Sequence, residues 1–187
     1  AGMRKINITL LSVSLLLVFS MTSESADWPQ FRFNANRGAV SPETLPAQLH
    51  LQWVREFTEP RPAYPGELRL RYDATYEPVV MGESVFVPSM VNDSVTALET
   101  SSGKVQWRFF TGGPIRFAPL AVKGRVYFGS DDGYLYCVNA ADGELLWKYY
   151  GRPGDRADRN LLGNRRLIPM WPVRGGPVMD EGVIYFS

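Results

Sequence analysis

Cysteine and histidine are almost absent: the 187-residue chain carries one Cys, Cys137, and one His, His50. An internal disulfide is therefore excluded, and so is a Cys/His zinc cluster. Neither residue sits in a recognisable nucleophile motif, which leaves Cys–His catalysis without a foundation. Charge of one sign is also lacking, with 20 Lys and Arg against 19 Asp and Glu. No basic excess exists to attract a phosphate backbone, so nucleic acid is not expected as a partner. What the chain does have is 45% apolar and 13% aromatic residues, with 17 Gly and 14 Pro. That composition excludes a disordered tail, a coiled coil and a collagen, and it suits strands better than helices.

The one long apolar run is N-terminal. Met3-Arg4-Lys5 precede Ile6–Met21, and the small residues Ser23 and Ser25 frame a cut after Ser25. A charged start, an apolar stretch and a small-residue cleavage site make residues 1–25 a secretory signal peptide. The run is about sixteen residues, short of the ~20 that a bilayer helix needs, so no stable membrane span is expected once it is removed. No Cys near the cut supports a lipid anchor. Cleavage takes away Arg4, Lys5 and Glu24 and leaves an exported, near-neutral chain, periplasmic or extracellular.

Self-similarity then dominates the reading. Pro78-Val79-Val80-Met81 leads to Ser84–Ser89, then Val95–Leu98, then Gly103-Lys104-Val105-Gln106-Trp107. Pro119-Leu120-Ala121-Val122 leads to Arg125–Ser130, then Leu135–Val138, then Gly143-Glu144-Leu145-Leu146-Trp147. The offset is 41 at Pro78/Pro119 and 40 at Trp107/Trp147. A third copy begins at Pro177-Val178-Met179. Each unit holds four short runs of alternating or continuous apolar residues, punctuated by turns such as Lys123-Gly124, Asp131-Asp132-Gly133 and Asp142-Gly143. Four strands in ~40 residues is the period of a propeller blade. The expected fold is an all-β propeller of four-stranded antiparallel blades. Its parts are a lone closing strand over 49–57, blades over 78–110 and 119–150, and the start of a third over 177–187. Residues 26–187 thus read as the N-terminal part of a longer ring.

Ala97-Leu98-Glu99-Thr100-Ser101-Ser102-Gly103-Lys104-Val105-Gln106-Trp107 resembles the blade signature of the pyrroloquinoline quinone (PQQ) repeat, and Val138–Trp147 is a second copy. The opening Asp27-Trp28-Pro29-Gln30-Phe31-Arg32 is similar to the start of many exported PQQ-like propeller proteins. The resemblance covers nearly everything from Asp27 to Ser187. It implies eight blades when complete, with Trp53, Trp107 and Trp147 docking between blades and Gly103 and Gly143 making the turn before the outer strand. The superfamily includes quinoprotein alcohol dehydrogenases and BamB-like assembly factors.

Two connections are long: 58–77, with three Arg and three Tyr, and 151–176, with six Arg and Trp171. Insertions above about 12–15 residues in a compact repeat are commonly functional. Candidate ligand-binding residues on the funnel face are Tyr76, Arg116, Arg165, Arg166, Trp171 and Arg174, with Arg116 and Arg174 placed on the funnel wall. An anionic or sugar-like ligand, or a partner protein, would suit them. Asp131 and Asp132 read as turn residues, carboxylates that would otherwise suit calcium. Cys137 reads as a small buried hydrophobe. No catalytic residue or metal ligand is identified, and no cofactor is established. PQQ and calcium enter only through the resemblance. The expected function is a non-catalytic exported scaffold for an envelope protein or glycan. The alternatives implied by the resemblance are a PQQ- and calcium-dependent alcohol or sugar dehydrogenase and a BamB-like outer-membrane assembly factor.

Overall fold

A computed structural model describes residues 26–62, 75–154, 157, 159–163 and 166–187. The expected signal peptide and Arg165 lie outside the described residues. Every described element is a strand, and no described helix is long and apolar enough to cross a membrane.

The first sheet orders β1 (Val79–Met81), β2 (Ser84–Ser89), β3 (Ser94–Glu99) and β4 (Val105–Phe110) as an antiparallel meander. The second repeats it with β5 (Leu120–Val122), β6 (Arg125–Gly129), β7 (Tyr134–Asn139) and β8 (Leu145–Tyr150). A hairpin, β9 (Asn160–Gly163) and β10 (Arg166–Pro169), rises from the long 151–176 connection. It stands where the sequence pattern shows only a long connection. The pair β11 (Val178–Asp180) and β12 (Val183–Tyr185) then follows the pattern of the first two strands of a blade.

Turn chemistry fixes the meanders. Lys123 and Gly124 link Val122 to Arg125 with φ of 49° and 72°, and Glu181 and Gly182 do the same in β11–β12 with 45° and 83°. Two consecutive left-handed residues match the twist of a two-residue hairpin. Both complete sheets also carry a register shift at one repeat position, between Ala97 and Leu98 and between Cys137 and Val138. Each shift lies directly beside the cross-strand partner of a repeat Trp, Ala97 opposite Trp107 and Cys137 opposite Trp147.

The core lies between sheets rather than within one. Val79, Phe86, Val95, Ala97 and Trp107 of the first blade pack with Ile115 of the β4–β5 loop and with Ala121, Val126, Phe128, Tyr136 and Val138 of the second blade. The strand period of two turns the alternate residues of the second sheet the other way. Leu120, Tyr127 and Cys137 meet Met179 and Ile184 of the next pair. Cys137 is fully buried.

The indoles lock the stack. Trp107 Nε1 donates to the Ala140 carbonyl at 2.9 Å, and Trp53 Nε1 donates to the Thr100 carbonyl at 2.7 Å. The strand expected over 49–57 forms no ladder, because no described strand lies alongside it, and Trp53 is its anchor instead. Trp147 packs 5.8 Å from Tyr127, as Trp107 packs 5.8 Å from Phe86, but it is 40% exposed.

Candidate functional site: the loop face at the inner strands

Three connections meet on one face. The β4–β5 loop brings Arg116, the β6–β7 turn brings Asp131, and the stretch ahead of β11 brings Arg174. Arg116 Nε lies 2.7 Å from Asp131 Oδ2, and Arg174 Nε lies 3.1 Å from Asp131 Oδ1. The Arg116 and Asp131 side chains are 4% and 2% exposed, and that of Arg174 is 25% exposed. Arg116 and Arg174 occupy one repeat position, three residues before Pro119 and Pro177. Two neighbouring blades therefore converge on a single carboxylate.

Backbone bonds weld the same loops. Asp131 N donates to the Pro114 carbonyl at 3.0 Å, Val173 N to Ser130 O at 3.1 Å, and Ser130 Oγ to Gly113 O at 3.0 Å. Asp132 is equally committed: Oδ2 accepts from Gly112 N at 2.8 Å and Tyr136 OH at 2.6 Å, and Oδ1 accepts from Tyr134 N at 3.1 Å. Burial foremost, and then the bond to Asp132, push the Tyr136 phenol above its ordinary range.

Beside this weld a cavity of about 310 Å³ opens where the inner strands begin. Glu77, Ala118 and Gly176 each directly precede the proline that opens β1, β5 or β11, and all three line it. Phe117, Gly175 and the N-terminal residues Phe31 and Arg37 complete the wall. Glu77 Oε2 accepts from Ala118 N at 2.9 Å. Burial raises the Glu77 carboxyl above its usual 4.5, against the opposing pull of the Ala118 N–H and Arg37. The Arg37 guanidinium lies 5.6 Å above the Phe31 ring. Gly176 belongs there for a steric reason: a Cβ would come 3.1 Å from the Ala118 carbonyl. The cavity thus offers a partly desolvated carboxyl, a guanidinium at the rim and two aromatic faces.

The remaining sequence candidates disperse. Tyr76 OH donates to the Thr58 carbonyl at 2.5 Å and its ring sits 5.2 Å from Phe57, which turns it toward the 57–62 segment. Trp171 lines a separate hollow of about 460 Å³ with Tyr149 and Phe186. Arg166 lies in β10. Sequence reading missed Glu77, Phe117, Phe31 and Arg37. The available signal was position, since Glu77 and Ala118 share one place in the repeat.

The described residues do not fit the calcium and quinone that the PQQ resemblance implies. A cation beside Asp131 would face two guanidiniums already bound there, and both oxygens of Asp132 hold protein donors. Among the described residues no cluster of three His, Cys, Asp or Glu is placed to hold a metal. Arg116 and Arg174, suited by charge to the quinone's carboxylates, are drawn onto Asp131.

The family model described as outer membrane protein assembly factor BamB matches residues 50–170, more than half of the chain. A quinoprotein ethanol dehydrogenase of Pseudomonas putida is 40% identical over 91 residues, which is 42% of this chain and 15% of that protein. Quinohemoprotein alcohol dehydrogenase ADH IIB of the same organism is 32% identical over 87 residues, 41% of this chain and 12% of that one. The chain therefore spans a small part of the length of either relative. Among solved structures, quinohemoprotein alcohol dehydrogenase from Comamonas testosteroni superposes with a TM-score of 0.59 at 20% identity, over 87% of this chain and 23% of that one. That similarity carries the fold. With the repeat on every described blade and the family match across residues 50–170, the chain belongs to the BamB family of PQQ-like β-propeller repeats.

Proposed function

We propose that the chain forms a sector of an exported, non-catalytic propeller that binds a partner protein or glycan of the cell envelope. The observation that carries this reading is the Arg116–Asp131–Arg174 bridge. It fixes three loops of one face as a rigid platform and draws two cationic side chains onto a buried carboxylate. Rigid, preformed surfaces favour binding, because less ordering entropy is lost on contact. The cavity beside the bridge would receive the ligand, with Glu77 accepting a hydrogen bond and Phe117 packing against an apolar face. Export rests on the leader-like residues 1–25.

Identity to a quinoprotein dehydrogenase favours one rival, a PQQ-dependent enzyme. The two separate in a titration of the full-length mature protein with PQQ and calcium, followed by tryptophan fluorescence. The scaffold reading expects no saturable change from a folded, monodisperse protein. Micromolar or tighter quenching would overturn it in favour of the enzyme. A photocrosslinking residue at Phe117 in cells should in addition trap an envelope component, and a clean failure to trap one would remove the binding role.

A further inference from the structure

Three consecutive residues near the N-terminus cross three successive blades, one residue to each. Trp28 exchanges two backbone bonds with Val80 of β1, at 2.9 and 2.8 Å. The Pro29 carbonyl accepts from Ala121 N of β5 at 2.7 Å. Gln30 Oε1 accepts from Met179 N of β11 at 3.1 Å. Val80, Ala121 and Met179 are one position of the repeat, two residues after the opening proline, and each is the middle residue of its strand.

The chemistry of the three crossing residues suits this path. The inner strand of a blade is an edge, with backbone groups that no further strand satisfies. Trp28 answers one edge with a donor and an acceptor. Proline has no N–H, so at the second crossing it accepts without leaving a donor of its own stranded. At the third the bond passes to a side-chain amide, the closest side-chain analogue of a peptide group. Gln30 is 6% exposed, as an amide that has traded water for a protein partner should be. On one side of the crossing, Asp27 Oδ1 accepts from Gly82 N at 2.7 Å in the β1–β2 turn. On the other, Phe33 N closes back on the Gln30 carbonyl at 3.0 Å, with Arg32 and Phe33 held at φ of 56° and 81°. Positive φ at two consecutive non-glycine residues is strained, and such strain persists where the surroundings over-determine it.

We infer that the inner edges of the first three blades form a recognition site for an extended peptide, and that residues 26–40 of the same chain are its ligand. Bound in cis, the segment spaces the three blades about the axis and places Phe31 and Arg37 at the loop-face cavity. The full-length protein lacking residues 26–40 should bind a fluorescent synthetic peptide of that sequence saturably. Methylation of the Trp28 amide nitrogen, or Gln30→Ala, should each weaken the peptide at least tenfold. A folded truncated protein that ignores the peptide, or binds the methylated one equally well, would overturn the assignment. Should the truncated protein not fold, hydrogen exchange on the intact chain decides. Gln30→Leu should accelerate exchange of the Met179 amide at least tenfold and leave Ala121 unaffected. Unchanged exchange at Met179 would refute the site.

Discussion

Trp107 lies flat against Gly143: a Cβ on that glycine would come 2.7 Å from the ring's Cδ2 and Cε3, while the indole N–H bonds the Ala140 carbonyl. One blade earlier Trp53 stands on Gly103 in the same way, with a virtual Cβ 2.6 Å from Cε3 and the N–H on Thr100. Each glycine therefore meets two demands, since both also hold positive φ, 67° at Gly103 and 76° at Gly143.

Gly143→Ala should lower stability by about 2–4 kcal/mol, from left-handed strain and overpacking together. Urea denaturation of the full-length protein measures it. Trp107→Phe, which keeps an aromatic but strands the Ala140 carbonyl, should cost about 1–3 kcal/mol.

Asp131→Ala should cost about 3–5 kcal/mol, because it leaves the buried Arg116 guanidinium without its carboxylate. Arg174→Ala, at the more solvated end of the bridge, should cost about 1 kcal/mol or less. A double-mutant cycle between the two positions should show coupling, and additive losses would mean that Arg174 contributes little through Asp131.

Glu77 gives a pH signature. Its carboxyl is raised by burial, so the folded state holds this proton more tightly than the unfolded chain. The stability it contributes is fully present below the usual 4.5 and is lost as pH rises through the elevated value. Glu77→Gln keeps an oxygen for the Ala118 N–H but removes the titration. Its stability should stay flatter across that window, and its advantage over the parent should grow with pH. Chemical denaturation at several pH values between 4 and 7 reads this out, and parallel curves would exclude it.

Cys137 should resist thiol reagents in the native protein. It is fully buried, and burial pushes its thiol up against the opposing influence of Tyr127 and Arg125. Reaction with a disulfide reagent should be slow until denaturant unfolds the second blade.

Blade, turn and docking Trp were legible in the sequence because each is a local pattern repeated at a fixed spacing. Pro78 and Pro119 mark where inner strands open, and Lys123-Gly124 marks a hairpin whatever lies around it. The site was legible only in part. Arg116 and Arg174 stood out by position, but their meeting at Asp131 depends on how loops of adjacent blades stack, which no single repeat encodes. Asp131 itself read as a turn residue because Gly133 follows it closely, and it occupies that turn while also serving the bridge. Glu77 was missed because its environment comes from Ala118 and Arg37, each about forty residues away along the chain. The β9–β10 hairpin escaped for another reason. Leu161-Leu162 and Leu167-Ile168 are too short a pair of apolar runs to outweigh the arginines around them.

Each docking indole reaches forward along the chain, from Trp53 to Thr100 across 47 residues and from Trp107 to Ala140 across 33. A polypeptide emerging N-terminus first would present Trp53 and Trp107 before the glycines they need, Gly103 and Gly143. Each of these two plugs waits for the next stretch of chain to emerge, whereas the Pro29 and Gln30 contacts wait for Ala121 and Met179. Short closures of this kind carry a small entropic penalty. Directional docking suits a chain that consolidates blade by blade from its N-terminal side.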